Sequence, residues 1–289
     1  MPTPVPIAVI GGSGLYQMEG LRVIEEVKVS TPFGDPSDTI LVGELEGVRV
    51  AFLPRHGRGH RFSPSALPVR ANLFALKTLG VERVISVSAV GSLREDIHPL
   101  DLVVPDQVID RTQGRPSTFF EGGPVVHIAF ANPFCPVLSQ VLARGAEETG
   151  ARVHLGGTYI CIEGPAFSTK AESHLYRSWG AHIIGMTALP EAKLAREAEM
   201  CYAILAVVTD YDVWHPTHEQ VSVEVVLQNL QKGTATAQKA LRHTLPAIPR
   251  ERACPCATAL RDAIATDPRL IGPEVRRRLA PLLGKYLPA

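Results

Sequence analysis

The stretch YAILAVVTDYDVWH, residues 202–215, begins as a strand and ends as a site. From Tyr202 to Val208 every residue is apolar, most of them small or branched, which is the pattern of a strand buried in a sheet. The run stops at Thr209, and Asp210 and Asp212 follow at alternate positions. Alternate positions on an extended chain point the same way, so both acids are expected to face one place. Like charges held close together repel, which raises the pKa of one of them. Two carboxyl groups at the mouth of a buried strand point to chemistry rather than to packing.

The flanking segments set that strand in an α/β frame. IAVIGGSG reads as a buried strand running into a glycine turn, and DTILVGEL and VRVAFLPRH form a hairpin around Glu46 and Gly47. SALPVRANLFALKTLG has apolar residues at helical spacing and stops at Gly80. VERVISVSAVGSL is a strand that breaks at Gly91, DLVVPDQVID is read as one further strand, and residues 133–149 as an amphipathic helix. GTYICIEGP is a strand opening into a helix, where Thr169 and Glu172 have capping-box spacing. A strand at AHIIGM, a helix over 189–200 and a long helix over 222–245 complete the pattern. Strands alternate with helices, but the early hairpin predicts a mixed sheet flanked by helices in a single α/β domain. Residues 1–249 are expected to form its body and 250–289, after PRERACPCA, a helical appendage of the same domain.

Composition removes several function classes. The 289 residues are 45% hydrophobic, and 29 basic residues balance 29 acidic ones, so no bulk field favours nucleic acid or anionic membrane. No apolar stretch reaches the roughly 20 residues of a membrane helix. The start, MPTPVPIAVIGG, has neither a basic n-region nor a long apolar h-region, which predicts no signal peptide and a cytoplasmic protein. The cysteines Cys135, Cys161, Cys201, Cys254 and Cys256 include no CxxC pair, and CPC is tighter than the usual zinc spacing. They read as buried structural thiols, with disulfides an option in a heat-adapted organism; no metal is expected.

Polar residues that are hard to place in a core fall at five strand ends: Ser13, Arg55–His56, Ser88, Met186–Thr187 and Thr209–Asp212. Ligands of open α/β sheets gather at such carboxyl ends. GGSG can cradle an anion with backbone N–H groups and a hydroxyl, although a plain glycine turn fits the same residues. It is not a dinucleotide fingerprint, because Gln17 stands where the last glycine belongs. In PRHGRGHR, His56 and His60 have the spacing of helical metal ligands, but Pro54, Gly57 and Gly59 argue against a helix. The arginine fork of Arg55 suits phosphate oxygens, and a solvated basic loop is the alternative. Phe167, in EGPAFS, is either core or a ring that stacks on a planar base. An anion clamp, an aromatic face and a carboxyl pair together describe a site for phosphate plus a nitrogen heterocycle. Asp212 can accept from an exocyclic amine while Asp210, kept protonated by its neighbour and partial burial, donates to a ring nitrogen.

At IGGSGLY, TPFGDPSD, PRHGRGH, VSAVGSL, DQVIDRT, IEGPAFST, GMTALPEA and VTDYDVW, in this order over residues 7 to about 248, the chain resembles the trimeric branch of the purine nucleoside phosphorylase family, in particular its methylthioadenosine phosphorylases. The resemblance implies a mixed, partly barrel-like sheet, a homotrimer or a dimer of trimers, and no metal or organic cofactor, with inorganic phosphate as co-substrate. The implied reaction is phosphorolysis of the N-glycosidic bond of S-methyl-5′-thioadenosine. By the same resemblance Ser13, Arg55, His56, Ser88, Ala89 and Thr187 hold phosphate, and Met186 lies against the ribose. Phe167, Ser168, Asp210, Tyr211 and Asp212 surround the base, with Asp210 the general acid. His60, Val223, Val226 and Leu227 line the 5′ pocket, joined by His127 of a neighbouring subunit. Ser13 stands where many members have threonine, and the CPC tail matches only some. A 6-oxopurine phosphorylase would carry asparagine at 210 and glutamate at 168, against Asp210 and Ser168 here. A non-catalytic nucleoside-binding protein could share the pocket, but the intact anion clamp argues against it.

Overall fold

The computed structural model describes residues 4–12, 14–15, 18–215 and 223–287, with side chains from residue 228 onward in the last of these. The chain order is β1 (Ile7–Gly11), β2 (Arg22–Val27), β3 (Ile40–Leu45), β4 (Val48–Pro54), α1 (Val69–Thr78), β5 (Arg83–Ser92), β6 (Leu102–Val104), β7 (Gln107–Arg111), α2 (Pro136–Glu147), β8 (Val153–Leu155), β9 (Thr158–Ile162), α3 (Lys170–Ser178), β10 (Ile183–Gly185), α4 (Ala188–Glu197) and β11 (Cys201–Asp210). The long helix α5 (Val223–Ala247) and the short α6 (Pro273–Arg278) and α7 (Ala280–Leu283) follow. No helix among the described residues is long and apolar enough to cross a membrane.

The described strands form one mixed sheet that branches at β5. β5 runs parallel to β1 on one side and to β11 on the other, and its far end pairs antiparallel with β10, Gly91 lying opposite Ile184. The hairpin of β3 and β4 forms around Glu46 and Gly47, both at positive φ. DLVVPDQVID is two strands, not one. β6 pairs with β11 and β8, whereas β7 pairs with β9. Pro105, which cannot donate to a ladder, stands at the break. Two strands, β2 and β8, were not foreseen in the sequence. β2 is an exposed edge strand rich in charge, which hides the apolar alternation, and β8 is only three residues long.

Because side chains alternate across a strand, the apolar run of β11 feeds two cores. Tyr202, Ile204, Ala206 and Val208 pack on one face with α1 and α4, and Ala203, Leu205 and Val207 on the other with α2 and α5. Leu260, Ile271, Leu279, Leu282 and Leu283 of the C-terminal segment join the first core. Glu199 holds that segment further, accepting from Leu260 N at 3.1 Å and Tyr286 OH at 2.5 Å.

Candidate active site

The pairings of β5 bring the expected strand ends together. Ile10 lies opposite Ser86, Ala206 opposite Ser88 and Asp210 opposite Gly91, while Arg55 N donates to Gly11 O at 2.9 Å. A Cβ at Gly91 would sit 2.9 Å from Asp210 Oδ1 and 3.3 Å from Asp212 Cβ, so the bare glycine makes room for the acidic pair. Gly185 at the end of β10 likewise admits the Tyr159 hydroxyl, which a Cβ there would strike.

The acids are not aligned by strand alternation. Asp212 has φ 52°, in the left-handed region that Asp tolerates, and its amide turns back to donate to Asp210 Oδ1 at 2.8 Å. Burial, more than mutual repulsion, raises both carboxyls. It pushes Asp212 up to about 6, with the Asp210 charge adding to the effect and the Ser173 hydroxyl opposing it. Asp210 is raised by burial against hydrogen bonds from Thr209 and the Asp212 amide. Burial thus makes the Asp212 carboxyl resist ionisation as well, where the sequence pointed to Asp210 alone as the protonated member.

Thr209 bears on where a proton can rest. Its Oγ1 lies 2.7 Å from Asp210 Oδ2 and 3.2 Å from Val90 O. A hydroxyl carries one hydrogen and a carbonyl can only accept, so an ionised Asp210 and Val90 O compete for it. Protonated at Oδ2, Asp210 donates to Thr209, which donates onward to Val90, and every contact is satisfied. Asn229 Nδ2 closes the corner from α5, donating to Thr209 O at 2.7 Å.

At the anion end the arginine does something other than expected. Arg55 is 2% exposed and pairs with Glu191 through Nε at 2.5 Å and Nη2 at 3.3 Å. Its remaining donors reach Val87 O, Ile10 O and Ser86 Oγ. The fork foreseen for phosphate is thus committed to a buried carboxylate, and Arg55, following β4, ties the end of β1 and the middle of β5 to α4. His56 donates from Nδ1 to Phe62 O, 2.8 Å away, and stacks on His60 with ring centroids 4.2 Å apart. Burial, with the Arg55 and His60 charges, lowers its pKa to about 4 against the Phe62 carbonyl, so the ring is neutral at pH 7. The loop is a series of turns with positive φ at Gly57, Gly59 and His60, not a helix. Ser88 is buried with its Oγ making no hydrogen bond, Ala89 is half-buried, and Thr187 lies at the N-cap of α4.

The base end is framed by α3, whose N-cap Thr169 forms the expected capping box with Glu172. Phe167 is 44% exposed, and Ser168 Oγ is buried with no hydrogen bond. Met186 is half-buried, its thioether lying over Gly164, where a Cβ would strike it. Tyr211 turns away: its ring packs edge-on against Trp214, centroids 5.7 Å apart, in a small separate core, which makes it a packing residue rather than a wall for the base. His127 is exposed, its backbone bonded to Ala263 O at 2.8 Å, seated against the C-terminal segment and on none of these strand ends. Ser13 lies outside the described residues, as do the side chains of Val223, Val226 and Leu227; the backbone of those three belongs to the first turns of α5.

Two residues that sequence reasoning missed organise the site. Glu191, 1% exposed, receives Arg55 and the Tyr202 hydroxyl, the latter at 2.8 Å. Arg115 donates to Met186 O, Leu189 O and Glu163 O and pairs with Glu163 at 3.0 Å, locking the β9 corner to the start of α4. The only signal for Glu191 is a charge on the apolar face of LPEAKLAR; Arg115 lies in an unpatterned loop. The cysteines were also under-read, since four of the five come together away from these strand ends.

The fold agrees with comparisons to known proteins. The sequence pattern described as the phosphorylase superfamily matches residues 6–246. A curated relative from Chloroflexus aurantiacus, named S-methyl-5′-thioadenosine phosphorylase, is 59% identical over 281 residues, which cover 97% of this chain and 98% of the relative. A crystal structure of methylthioadenosine phosphorylase from an antarctic soil metagenomic library has a TM-score of 0.93 at 51% identity, covering 97% of this chain and 99% of its own. A variant of adenosine/methylthioadenosine phosphorylase from Schistosoma mansoni, solved with methylthioadenosine, has a TM-score of 0.81 at 36% identity, over 86% of this chain and 93% of its own. By sequence pattern, identity and fold together, this chain belongs to the phosphorylase superfamily, beside its methylthioadenosine phosphorylases.

Proposed function

We propose that the protein cleaves S-methyl-5′-thioadenosine with inorganic phosphate, releasing adenine and 5-methylthioribose 1-phosphate. The observation that carries this reading is the buried pair Asp210 and Asp212 above Gly91, two carboxyls held at raised pKa where a base can meet them. Asp212 accepts from the 6-amino group once the base is bound, and the Asp210 proton, shared with Thr209, passes to the purine N7 as the C–N bond breaks. Protonation makes adenine a better leaving group, a general-acid role worth roughly 10²–10⁴-fold. The sugar becomes oxocarbenium-like, and phosphate serves as counter-anion and nucleophile.

Phosphate is read as held by Ser88 Oγ, Thr187, the amide of Ala89, Ser13 and His56. Arg55 supports them from behind through Glu191. His56 is neutral before binding, and the incoming dianion favours its charged form. Phe167 stacks on the base beside Ser168, and Met186 lies under the ribose. His60, with Val223, Val226 and Leu227 from α5, accommodates the methylthio group. No organic cofactor enters this scheme. The body of the domain is taken as residues 1–249, with 250–289 as its appendage. The assembly is read as a cytoplasmic homotrimer, or two trimers joined, in which exposed His127 reaches a neighbour's 5′ pocket.

The test is chromatography of methylthioadenosine incubated with the protein, with and without phosphate. Adenine released only with phosphate supports the reading. Release in its absence would mean hydrolysis, and no release would leave a binding protein.

A further inference from the structure

We propose that Cys135, Cys201, Cys254 and Cys256 form a tetrathiolate site that binds one zinc ion and fastens the C-terminal segment to the core. The four Sγ atoms lie within 4.8 Å of one another, and Cys201 Sγ is 3.3 Å from Cys254 Sγ. In a regular tetrahedron with Zn–S bonds of about 2.3 Å, sulfurs stand about 3.8 Å apart, inside that spread.

The four positions come from three parts of the fold. Cys135 is the N-cap of α2, Cys201 opens β11, and Cys254 and Cys256 flank Pro255 at a single 3₁₀ turn. Two of the anchors are fixed by backbone bonds: Cys135 N to Tyr202 O at 2.8 Å and Cys201 N to Glu82 O at 2.9 Å. Cys135 Sγ also accepts from Leu138 N at 3.5 Å, the amide-to-sulfur contact that supports a thiolate at a helix start. Buried Arg83 donates to Pro249 O and Arg250 O at 2.7 and 2.9 Å, drawing the segment in and placing positive charge beside the sulfurs.

The donor set is soft and uniform, which suits zinc and disfavours magnesium or calcium. The recess lined by Arg83, Arg252 and three of these cysteines holds only about 10 Å³, too little for an added ligand, so the site is closed and structural. The balance is simple: four thiols and Zn²⁺ give a tetrathiolate dianion and four protons, with no change in oxidation state. Two disulfides among the same residues would instead require an oxidant to accept two electrons per bond.

The test is made on full-length, untagged protein purified anaerobically without added reductant. One zinc per chain is expected, together with the intact mass of a fully reduced chain and five titratable thiols after denaturation in chelator. Refolding with cobalt should give the intense visible bands of a tetrahedral tetrathiolate. The double substitution Cys254→Ser, Cys256→Ser should lose the metal and lower the unfolding temperature while leaving phosphorolysis at low temperature intact. The proposal is overturned by the absence of zinc both as purified and after refolding with zinc. It is equally overturned by a mass lower by two hydrogens per missing thiol pair, the mark of disulfides. Both measurements use the unaltered chain, so neither depends on whether the double variant folds.

Discussion

Asp210 holds the Asp212 amide through one oxygen and shares a hydrogen with Thr209 through the other, so Asp210→Asn keeps the shape and removes the transferable proton. Turnover of methylthioadenosine should fall by roughly 10²–10⁴-fold, and steady-state kinetics at saturating phosphate measures it. Ionising Asp210 also costs activity. Burial raises its pKa, so in a pH profile kcat/KM is expected to decline toward alkaline pH as that group gives up its proton, later than an ordinary carboxylate would. The stability sign follows from the shift of Asp212. Between the unfolded value near 4 and the folded value near 6 the native state binds more protons than the unfolded chain, so Asp212 makes the protein less stable as pH rises through that window. Asp212→Asn should flatten that part of a denaturation-versus-pH curve. Arg55 calls for a different experiment. Arg55→Ala strands Glu191 without its partner in the core, a loss of about 3–5 kcal/mol seen in chemical denaturation. Adding Glu191→Gln should recover much of it, since the two positions are in contact and do not add.

Gly91 shows how one strand position serves the site on its neighbour. An Ala there drives a methyl to within 2.9 Å of Asp210 Oδ1, and the carboxyl must move. Displacements of about an ångström cost on the order of 100-fold in rate, so Gly91→Ala should lower kcat far more than it lowers the unfolding midpoint. β5 and β11 were legible because both are largely apolar runs that end in polar residues, and their parallel pairing fixes the strand ends that matter. β2 was not, since an edge strand facing water carries Arg22, Glu25 and Glu26 instead of alternation. The turn at Asp212 was read as extended because a single left-handed residue leaves no periodicity behind. Arg115 and Glu191 were invisible for a related reason: Arg115 acts through Glu163 and Met186, and Glu191 through Arg55, all more than 40 residues away in sequence.

Over the whole molecule, function was more legible than support. The motifs named the strand ends and the carboxyl pair, but not that Arg55 is buried, that Tyr211 faces a separate core, or that four cysteines meet. Those depend on tertiary pairings that join residues 55, 115, 191 and 254 to distant strands. The central claim is that this fold uses its two raised carboxyls to read and protonate a 6-aminopurine. The most direct test compares kcat/KM for methylthioadenosine and methylthioinosine, which differ at the 6-substituent, with the unaltered protein at fixed phosphate. A site built to exchange hydrogen bonds with one substituent rejects its counterpart strongly, so methylthioadenosine should lead by roughly 10³-fold or more. Equal values for the two nucleosides would contradict the assignment of Asp210 and Asp212.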